Sequence, residues 1–171
     1  MKPITRRVVG TIALAALLLP APAAARRRVR IVGGGVTGHK TYSSPNVLKP
    51  EDLRSCLQQE AALNELGELV DAEEVVLQKR AEQIDQMGRS LDSRKARVDV
   101  YSKASVDAYN REVDRHRKAV AEYNDGTPPF NARVADFNNR LQGFNANCAG
   151  KSYYEDDMQM ARTALGIPKT P

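Results

Sequence analysis

Two series of apolar residues at seven-residue spacing run through the chain. One leads forward from Cys56, and the other leads back from Cys148 with a gap at Thr127. The first series contains Leu63, Val70, Leu77, Ile84, Leu91 and Val98, and the second contains Val106, Val113, Val120, Val134 and Leu141. A sustained seven-residue apolar repeat is typical of a helix that packs along one side against another helix. The pattern predicts two long helices with facing apolar sides.

The two series match residue for residue if the helices run antiparallel and the chain turns near Ser102. Leu63 then lies opposite Leu141, and Cys56 lies opposite Cys148 at the open end. We predict an all-α fold: a long, coiled-coil-like antiparallel hairpin closed by a disulfide, with a short C-terminal helix. Joining two cysteines so far apart would stabilise the fold by about 4–5 kcal/mol through loop-closure entropy.

An aromatic seam accompanies the second apolar series, three residues after each of its members. Its members are Tyr109, Tyr123, Phe130, Phe137 and Phe144, with His116 in the same register. Each ring except His116 is followed by asparagine, which makes an internal seven-residue repeat. In the antiparallel register Phe137 falls near Gly67 and His116 near Gly88. The pattern predicts large rings packed over small residues, with His116 in the core.

Helix-boundary signals divide the hairpin domain, residues 50–166. Pro50-Glu51-Asp52 begins the first arm, about 50–100, because proline suits the first turn and acids complement the helix dipole. The turn is expected at about 101–105, with Ser102 and Ser105 as caps. The second arm, about 105–148, is expected to be kinked at 125–129, with Thr127 capping a helix that restarts at Pro128.

A short third helix is predicted at about 153–165. Ser152-Tyr153-Tyr154-Glu155 matches a capping box, and Met158, Ala161 and Leu165 follow at helical spacing. Tyr153 and Tyr154 would either dock on the open end of the hairpin, as we favour, or contact a partner. Gly166 and Pro168 would end the helix, and residues 167–171 form a tail.

The first residues have the pattern of an export signal. Basic residues at 2, 6 and 7 precede an apolar run at 8–19, and small residues end at Ala25, so residues 1–25 are predicted to be a cleaved signal peptide. Arg6-Arg7 leaves a twin-arginine signal as an alternative, and the arginines at 26–28 leave an uncleaved membrane anchor as another. Residues 26–49 are predicted to be a flexible basic and Gly-rich linker. The expected location is the periplasm or the exterior.

The net charge of +5 comes from the N-terminal part of the chain. Eight basic and no acidic residues precede position 41, so the remainder has 18 basic against 21 acidic residues. A body with mixed charges of both signs lacks the basic stripe that phosphate neutralisation requires. We therefore expect no nucleic-acid partner.

The candidate chemical motifs are weak. Gly33–Gly38 matches G-x-G-x-x-G, but neither a helix nor a second strand is predicted after it, so a dinucleotide site is not expected. Glu155-Asp156-Asp157 fits either a cation site or, as we favour, the acidic first turn of a helix. Neither His39 nor His116 has partners at metal-ligand spacing. We predict no catalytic, cofactor or metal site.

The predicted rod resembles, in architecture alone, exported envelope proteins built on helical hairpins, including periplasmic holdase chaperones and cell-wall-associated coiled-coil adaptors. A two-helix rod exposes most of its surface, which favours binding of other macromolecules. We expect a bacterial envelope interaction or scaffolding module with a protein partner. The alternative is a periplasmic holdase, and a ligand carrier or enzyme ranks third. Homo-oligomerisation through the exposed faces is left open.

Overall fold

The computed structural model describes residues 28–31 and 33–168. In chain order its elements are β1 (Gly35–Val36), α1 (Pro50–Lys95), α2 (Lys103–Asn147), β2 (Tyr153–Tyr154) and α3 (Glu155–Ala164). The predicted signal peptide and the last three residues of the tail lie outside the described residues. The two long helices pack against each other and the short helix follows them, which confirms the predicted all-α hairpin.

Helix α1 begins as its sequence predicts. Pro50 occupies the first turn after the N-cap Lys49, and Glu51 and Asp52 lie at the positive end of the helix dipole. The helix contains 46 residues, which at 1.5 Å per residue makes it roughly 70 Å long. The molecule is therefore a rod, with the disulfide at one end, here called the base, and the turn at the other.

The turn between the long helices spans residues 96–102, earlier than predicted. Ser102 is the N-cap of α2 and its hydroxyl accepts a hydrogen bond from the Ser105 N–H at 3.3 Å, as expected. Ser105 Oγ in turn accepts a bond from the Asp99 N–H at 3.1 Å, so it braces the turn. Val98 lies within this turn and is half-buried, so its assignment as a helical member of the first series is wrong.

Helix α2 continues without interruption through Pro128 and Pro129. The predicted restart at Pro128 is therefore wrong, and Thr127 is no N-cap. Its hydroxyl instead donates to the Tyr123 carbonyl at 2.9 Å, one turn earlier in the same helix. Both prolines and the residues one turn before them are exposed, so water can hydrate the carbonyls that lose N–H partners.

The disulfide between Cys56 and Cys148 is present, as predicted. It joins α1 to the end of α2 across a sequence separation of 92 residues, and both cysteines are buried. It lies in a cluster that also draws on α3. This base cluster comprises Leu48, Leu53, Cys56, Leu57, Leu63, Phe137, Phe144, Cys148, Met158 and Ala161.

Contacts along the rod confirm the predicted register. A Cβ added at Gly67 would lie 3.3 Å from Cε2 of Phe137, and one added at Gly88 would lie 3.6 Å from Nε2 of His116. Ion pairs between the helices fit the same register: Glu73 pairs with Arg133, at 2.6 Å, and Arg94 pairs with Glu112. The rings therefore pack where the facing helix has no side chain, as the pattern of small residues predicted.

The two predicted series and the aromatic seam are buried to different degrees. On α1 the members of the series from Leu63 to Leu91 are all buried. On α2 the apolar series Val106, Val113, Val120, Val134 and Leu141 is only half-buried, together with Tyr109. The buried side chains of α2 are Tyr123, Phe130, Phe137 and Phe144. The aromatic seam is thus the core of the second arm, and the valines border it.

Helix α3 is shorter than predicted. Tyr153 and Tyr154 are in β2, and the N-cap Tyr154 makes no side-chain capping bond, so the predicted capping box is wrong. Met158 and Ala161 are buried in the base cluster, as their spacing predicted. The helix ends at Ala164, and the φ of 66° at Gly166, two residues later, lets the Ile167 N–H bond the Arg162 carbonyl at 2.9 Å.

Candidate functional site

The residues before α1 are packed on the base of the rod. We call residues 28–31 and 33–49 the strap. The Val29 N–H donates to Asn64 Oδ1 at 2.8 Å, Asn64 Nδ2 donates to the Val29 carbonyl at 3.1 Å, and the Ile31 N–H donates to Glu60 Oε2 at 2.9 Å. Side chains of α1 therefore form hydrogen bonds with the backbone at the start of the strap. The predicted flexible linker is therefore wrong for the described part of this segment.

The glycines of the strap allow close backbone approach. Strand β1 pairs parallel with β2, with Gly35 opposite Tyr153. A Cβ at Gly33 would lie only 1.6 Å from the Lys151 carbonyl oxygen, so no larger residue fits without a backbone shift. The G-x-G-x-x-G pattern thus serves packing, and a bend rather than a helix follows the two-residue strand.

Lys40 of the strap meets the acidic first turn of α3. Its Nζ lies 2.7 Å from Asp157 Oδ1 and 2.5 Å from Asp156 Oδ2. Asp157 is buried, with 2% of its surface exposed, and its other oxygen accepts a bond from the Tyr42 hydroxyl at 2.6 Å. The hydrogen bond with Asp156 raises the pKa of Lys40 and lowers that of Asp156, while the bond to Asp157 raises the pKa of Tyr42.

Tyr154 completes this network. Its hydroxyl accepts a bond from the Thr41 N–H at 2.7 Å and lies 3.2 Å from the carbonyls of His39 and Thr41. Its ring meets that of Tyr42 edge to face, with centroids 5.4 Å apart. Tyr154 is buried, so the expected docking of this residue at the base is confirmed. Together these contacts attach the strap to α3.

The network fastens the strap to the fold, away from the two clefts described next. Two shallow clefts lie on the rod, one lined by Arg28, Leu63, Gly67 and Phe137 among others, and one by Met87, Leu91 and Arg94 among others. Neither is lined by Lys40, Tyr42 or the acids of α3. Within residues 28–31 and 33–168, no three His, Cys, Asp or Glu side chains are grouped to hold a metal ion.

The remaining candidate residues are dispersed. His39 is exposed in the strap, and His116 is half-buried on the seam beside Gly88. The asparagines that follow the rings are all exposed on α2: Asn110, Asn124, Asn131, Asn138 and Asn145. The aromatic-Asn repeat therefore alternates a buried or half-buried ring with a neighbour that faces water. No helix in the described part of the chain is long and apolar enough to cross a membrane.

The turn at the far end of the rod presents an aromatic side chain. Tyr101 is 94% exposed and its neighbour Val100 is 51% exposed. The backbone below them is held by the bond from the Tyr101 N–H to Asp99 Oδ1, at 2.9 Å, and by the Ser102 cap. We call residues 96–102 the tip. It combines a hydrogen-bonded backbone with the exposed ring of Tyr101.

The charge around the tip differs from that of the rest of α1. Residues 89–118 contain nine basic and five acidic residues, whereas residues 51–88 contain three basic and ten acidic residues. Three of the five acids are already paired: Asp107 with Lys103, Glu112 with Arg94 and Asp114 with Arg117. The hydrogen bond from Lys103 also lowers the pKa of Asp107. The exposed surface near the tip is therefore basic.

The sequence signals did not reveal the strap network. Lys40 and Asp157 are separated by 117 residues, and no periodic pattern connects them. Tyr101 lay inside the region where the turn was expected, but its exposure depends on the direction of the turn. Comparisons with protein-family models, with curated proteins and with solved structures find no match to this chain.

Proposed function

We propose that this protein is an exported interaction module of the bacterial cell envelope, which binds a protein partner through the tip of its rod. The observation that supports this proposal is the exposure of Tyr101, at 94%, on an ordered turn. The turn lies at the end of two helices of 46 and 45 residues, far from the disulfide-closed base. A rod of this kind holds its tip away from whatever anchors or surrounds the base.

The geometry of the tip suits an anchor residue. Tyrosine buries a large amphipathic ring with few rotatable bonds, so it loses little conformational entropy on binding. The hydrogen bonds of Asp99 and Ser102 hold the backbone beneath it before any partner arrives. Preorganisation of this kind lowers the entropic cost of association.

The surrounding charge indicates the chemistry of the partner. Exposed basic residues near the tip, among them Lys95, Arg97 and Arg111, would face acidic groups of the partner surface. Charge complementarity mainly accelerates the encounter and sets the orientation, while the buried aromatic residue supplies most of the affinity. We therefore propose an acidic protein surface with an apolar pocket for Tyr101.

Export is part of the proposal. The Cys56–Cys148 disulfide is compatible with an oxidising compartment, and the N-terminal pattern predicts a signal peptide. Mass spectrometry of the mature protein would test both points. A chain that begins at Arg26 and carries no free thiol supports export by a cleaved signal, and free thiols in the native protein would contradict it.

The test of the partner site compares two exposed side chains. Wild type, Tyr101→Ala and Met160→Ala are used to capture proteins from envelope extracts, with Met160 on α3 as an exposed control at 57%. We expect one specific partner with wild type and Met160→Ala. Its dissociation constant should rise at least ~30-fold in Tyr101→Ala, the effect of losing about 2 kcal/mol at an interface hot spot. Equal binding by all three would refute the tip as the site.

A further inference from the structure

The outer side of α1 carries a continuous exposed stripe. Residues at alternating spacings of four and three share one side of a helix. Nine such residues are all exposed: Gln58, Ala62, Glu65, Leu69, Ala72, Val76, Lys79, Gln83 and Gln86. We call them the α1 stripe. Its centre is apolar, since Leu69 is 55% exposed and Val76 is 48% exposed.

The packing of residues 28–31 and 33–168 leaves this stripe exposed. Disulfide-bonded Cys56 and the buried series from Leu63 to Leu91 define the side of α1 that faces α2 and the base. The strap contacts Glu60, Asn64 and, through Arg28, Glu68; these residues border the stripe, and its own nine residues stay exposed. Val75, adjacent to the stripe, is also 50% exposed. Three large apolar side chains in two turns of a helix therefore face solvent at the middle of the rod.

The central residues of the stripe are arranged symmetrically about Ala72. Counted outward from Ala72, Leu69 corresponds to Val76, Glu65 to Lys79, Ala62 to Gln83, and Gln58 to Gln86. The two large apolar residues thus match each other and the acid matches a base, while the small Ala62 is matched with a glutamine. Ala72 itself lies near the middle of α1, Pro50–Lys95.

Charge along the whole of α1 follows the order of Glu65 and Lys79 on the stripe, acidic in the N-terminal half and basic in the C-terminal half. Residues 51–76 contain eight acidic residues and one basic residue, whereas residues 77–95 contain five basic and three acidic residues. Two parallel copies would place like charges side by side. Two antiparallel copies would place the acidic half of each helix beside the basic half of the other, which is favourable at short range.

We infer that the α1 stripe binds a second copy of this chain in an antiparallel, two-fold symmetric dimer centred on Ala72. Leu69 of each copy packs against Val76 of the other, and Glu65 of each pairs with Lys79 of the other. The small side chain of Ala72 lets the helices approach at the axis, where both copies contribute the same residue. The contact from Gln58 to Gln86 would be roughly 42 Å long at 1.5 Å per residue.

This inference does not depend on the proposed partner at the tip. The stripe is at the middle of α1 and the tip is at its end, so variants of one surface leave the other intact. An antiparallel dimer would also present two tips at opposite ends. Loss of partner binding in Tyr101→Ala with an unchanged dimer would separate the two surfaces, as would loss of the dimer in a stripe variant that still binds its partner.

Sedimentation equilibrium of the oxidised protein up to about 1 mM, the weak end of measurable association, tests the dimer. We expect a monomer–dimer equilibrium for wild type and for the exposed control Met160→Asp. The double variant Leu69→Asp/Val76→Asp should be monomeric with unchanged helicity, because both side chains are exposed in the single chain. A wild-type monomer at every concentration, or a dimer that survives the double variant, would overturn the inference.

Charge reversal tests the orientation. Glu65→Lys should weaken the dimer about tenfold, because two ion pairs per dimer become repulsive contacts. Lys79→Glu should do the same, and the combined Glu65→Lys/Lys79→Glu variant should restore wild-type affinity. Failure of the combined variant to recover would exclude the antiparallel pairing.

Engineered cysteines give a second measure of the orientation. In the antiparallel dimer the two copies of residue 72 meet, whereas the two copies of residue 86 are roughly 42 Å apart at 1.5 Å per residue. Ala72→Cys should therefore form a covalent dimer under mild oxidation, and Gln86→Cys, on the same stripe, should not. Equal cross-linking of both variants would indicate a parallel dimer and overturn the inference.

Discussion

Lys40 and Asp157 are 117 residues apart in the chain, and their side chains are joined at 2.7 Å beside the disulfide-closed base. Asp157 is buried and also accepts the Tyr42 hydroxyl, so one carboxylate holds two residues of the strap. A buried anion requires such partners, because its desolvation would otherwise oppose folding. The acidic first turn of α3 therefore complements the helix dipole and also attaches the N-terminal segment.

Replacement of this carboxylate should loosen the strap. We expect Asp157→Asn to lower the free energy of unfolding by about 1–3 kcal/mol, because hydrogen bonds to a charged acceptor are lost in a buried place. Urea unfolding would measure the change, and limited proteolysis would localise it to residues 28–49. Asp156→Asn is the matched control, since that side chain is 64% exposed and should cost less than about 1 kcal/mol. Equal losses would show that burial of Asp157 is unimportant.

The attachment of the strap should depend on pH at both extremes. The raised pKa values of Lys40 and Tyr42 mean that their contribution is complete below their ordinary values of 10.5 and 10.0 and is lost as the pH rises above them. The lowered pKa of Asp156 means that its contribution is present above its ordinary value of 3.8 and is lost as the pH falls below it.

Hydrogen exchange of the strap amides, after correction for the intrinsic rate, would measure this dependence. We expect constant protection between these limits and a decline on either side. Tyr42→Phe has no phenol hydroxyl to ionise. The hydrogen-exchange protection of its strap amides should therefore depend less on pH above about 10 than that of wild type. A protection profile that changes steadily through neutral pH would contradict the assignment to these groups.

Removal of the disulfide should destabilise the whole hairpin. We expect Cys56→Ser/Cys148→Ser to lose about 4–5 kcal/mol, because the bond closes a loop across 92 residues and restricts the unfolded chain. Denaturant unfolding of the double variant and of the oxidised wild type gives the difference. A loss below about 1 kcal/mol would indicate that the base cluster alone holds the ends of the helices together.

The aromatic seam should contribute more to stability than the valines beside it. Phe137 is 4% exposed and packs on Gly67, so Phe137→Ala should cost about 3–5 kcal/mol by transfer and cavity formation. Val134 is half-buried on the same helix, so Val134→Ala should cost about 1 kcal/mol or less. Thermal or urea unfolding of the two variants compares them. The reverse order would restore the valine series as the core.

The sequence predicted most of the hairpin and less of the base. Heptad spacing and the two cysteines carried the register, and Gly67 beside Phe137 confirms it. Boundary signals were less reliable. The turn begins at residue 96 rather than 101, the prolines at 128 and 129 do not interrupt α2, and Ser152 to Glu155 form no capping box. Local motifs specify an end only when no longer-range packing competes with them.

The sequence by itself determined two antiparallel helices, their register and their disulfide, because a repeat sustained over many turns allows few other pairings. Tertiary structure decided which seam of α2 is buried. The heptad spacing allows either seam, and the rings are buried because α1 has small residues beside them: Gly67 lies against Phe137, and Ala81 is in the same buried cluster as Tyr123. It also decided that the strap is docked. The contacts of Lys40, Tyr42 and Asp157 join distant segments through charge and hydrogen bonds, and such contacts leave no periodic signal in a chain read residue by residue.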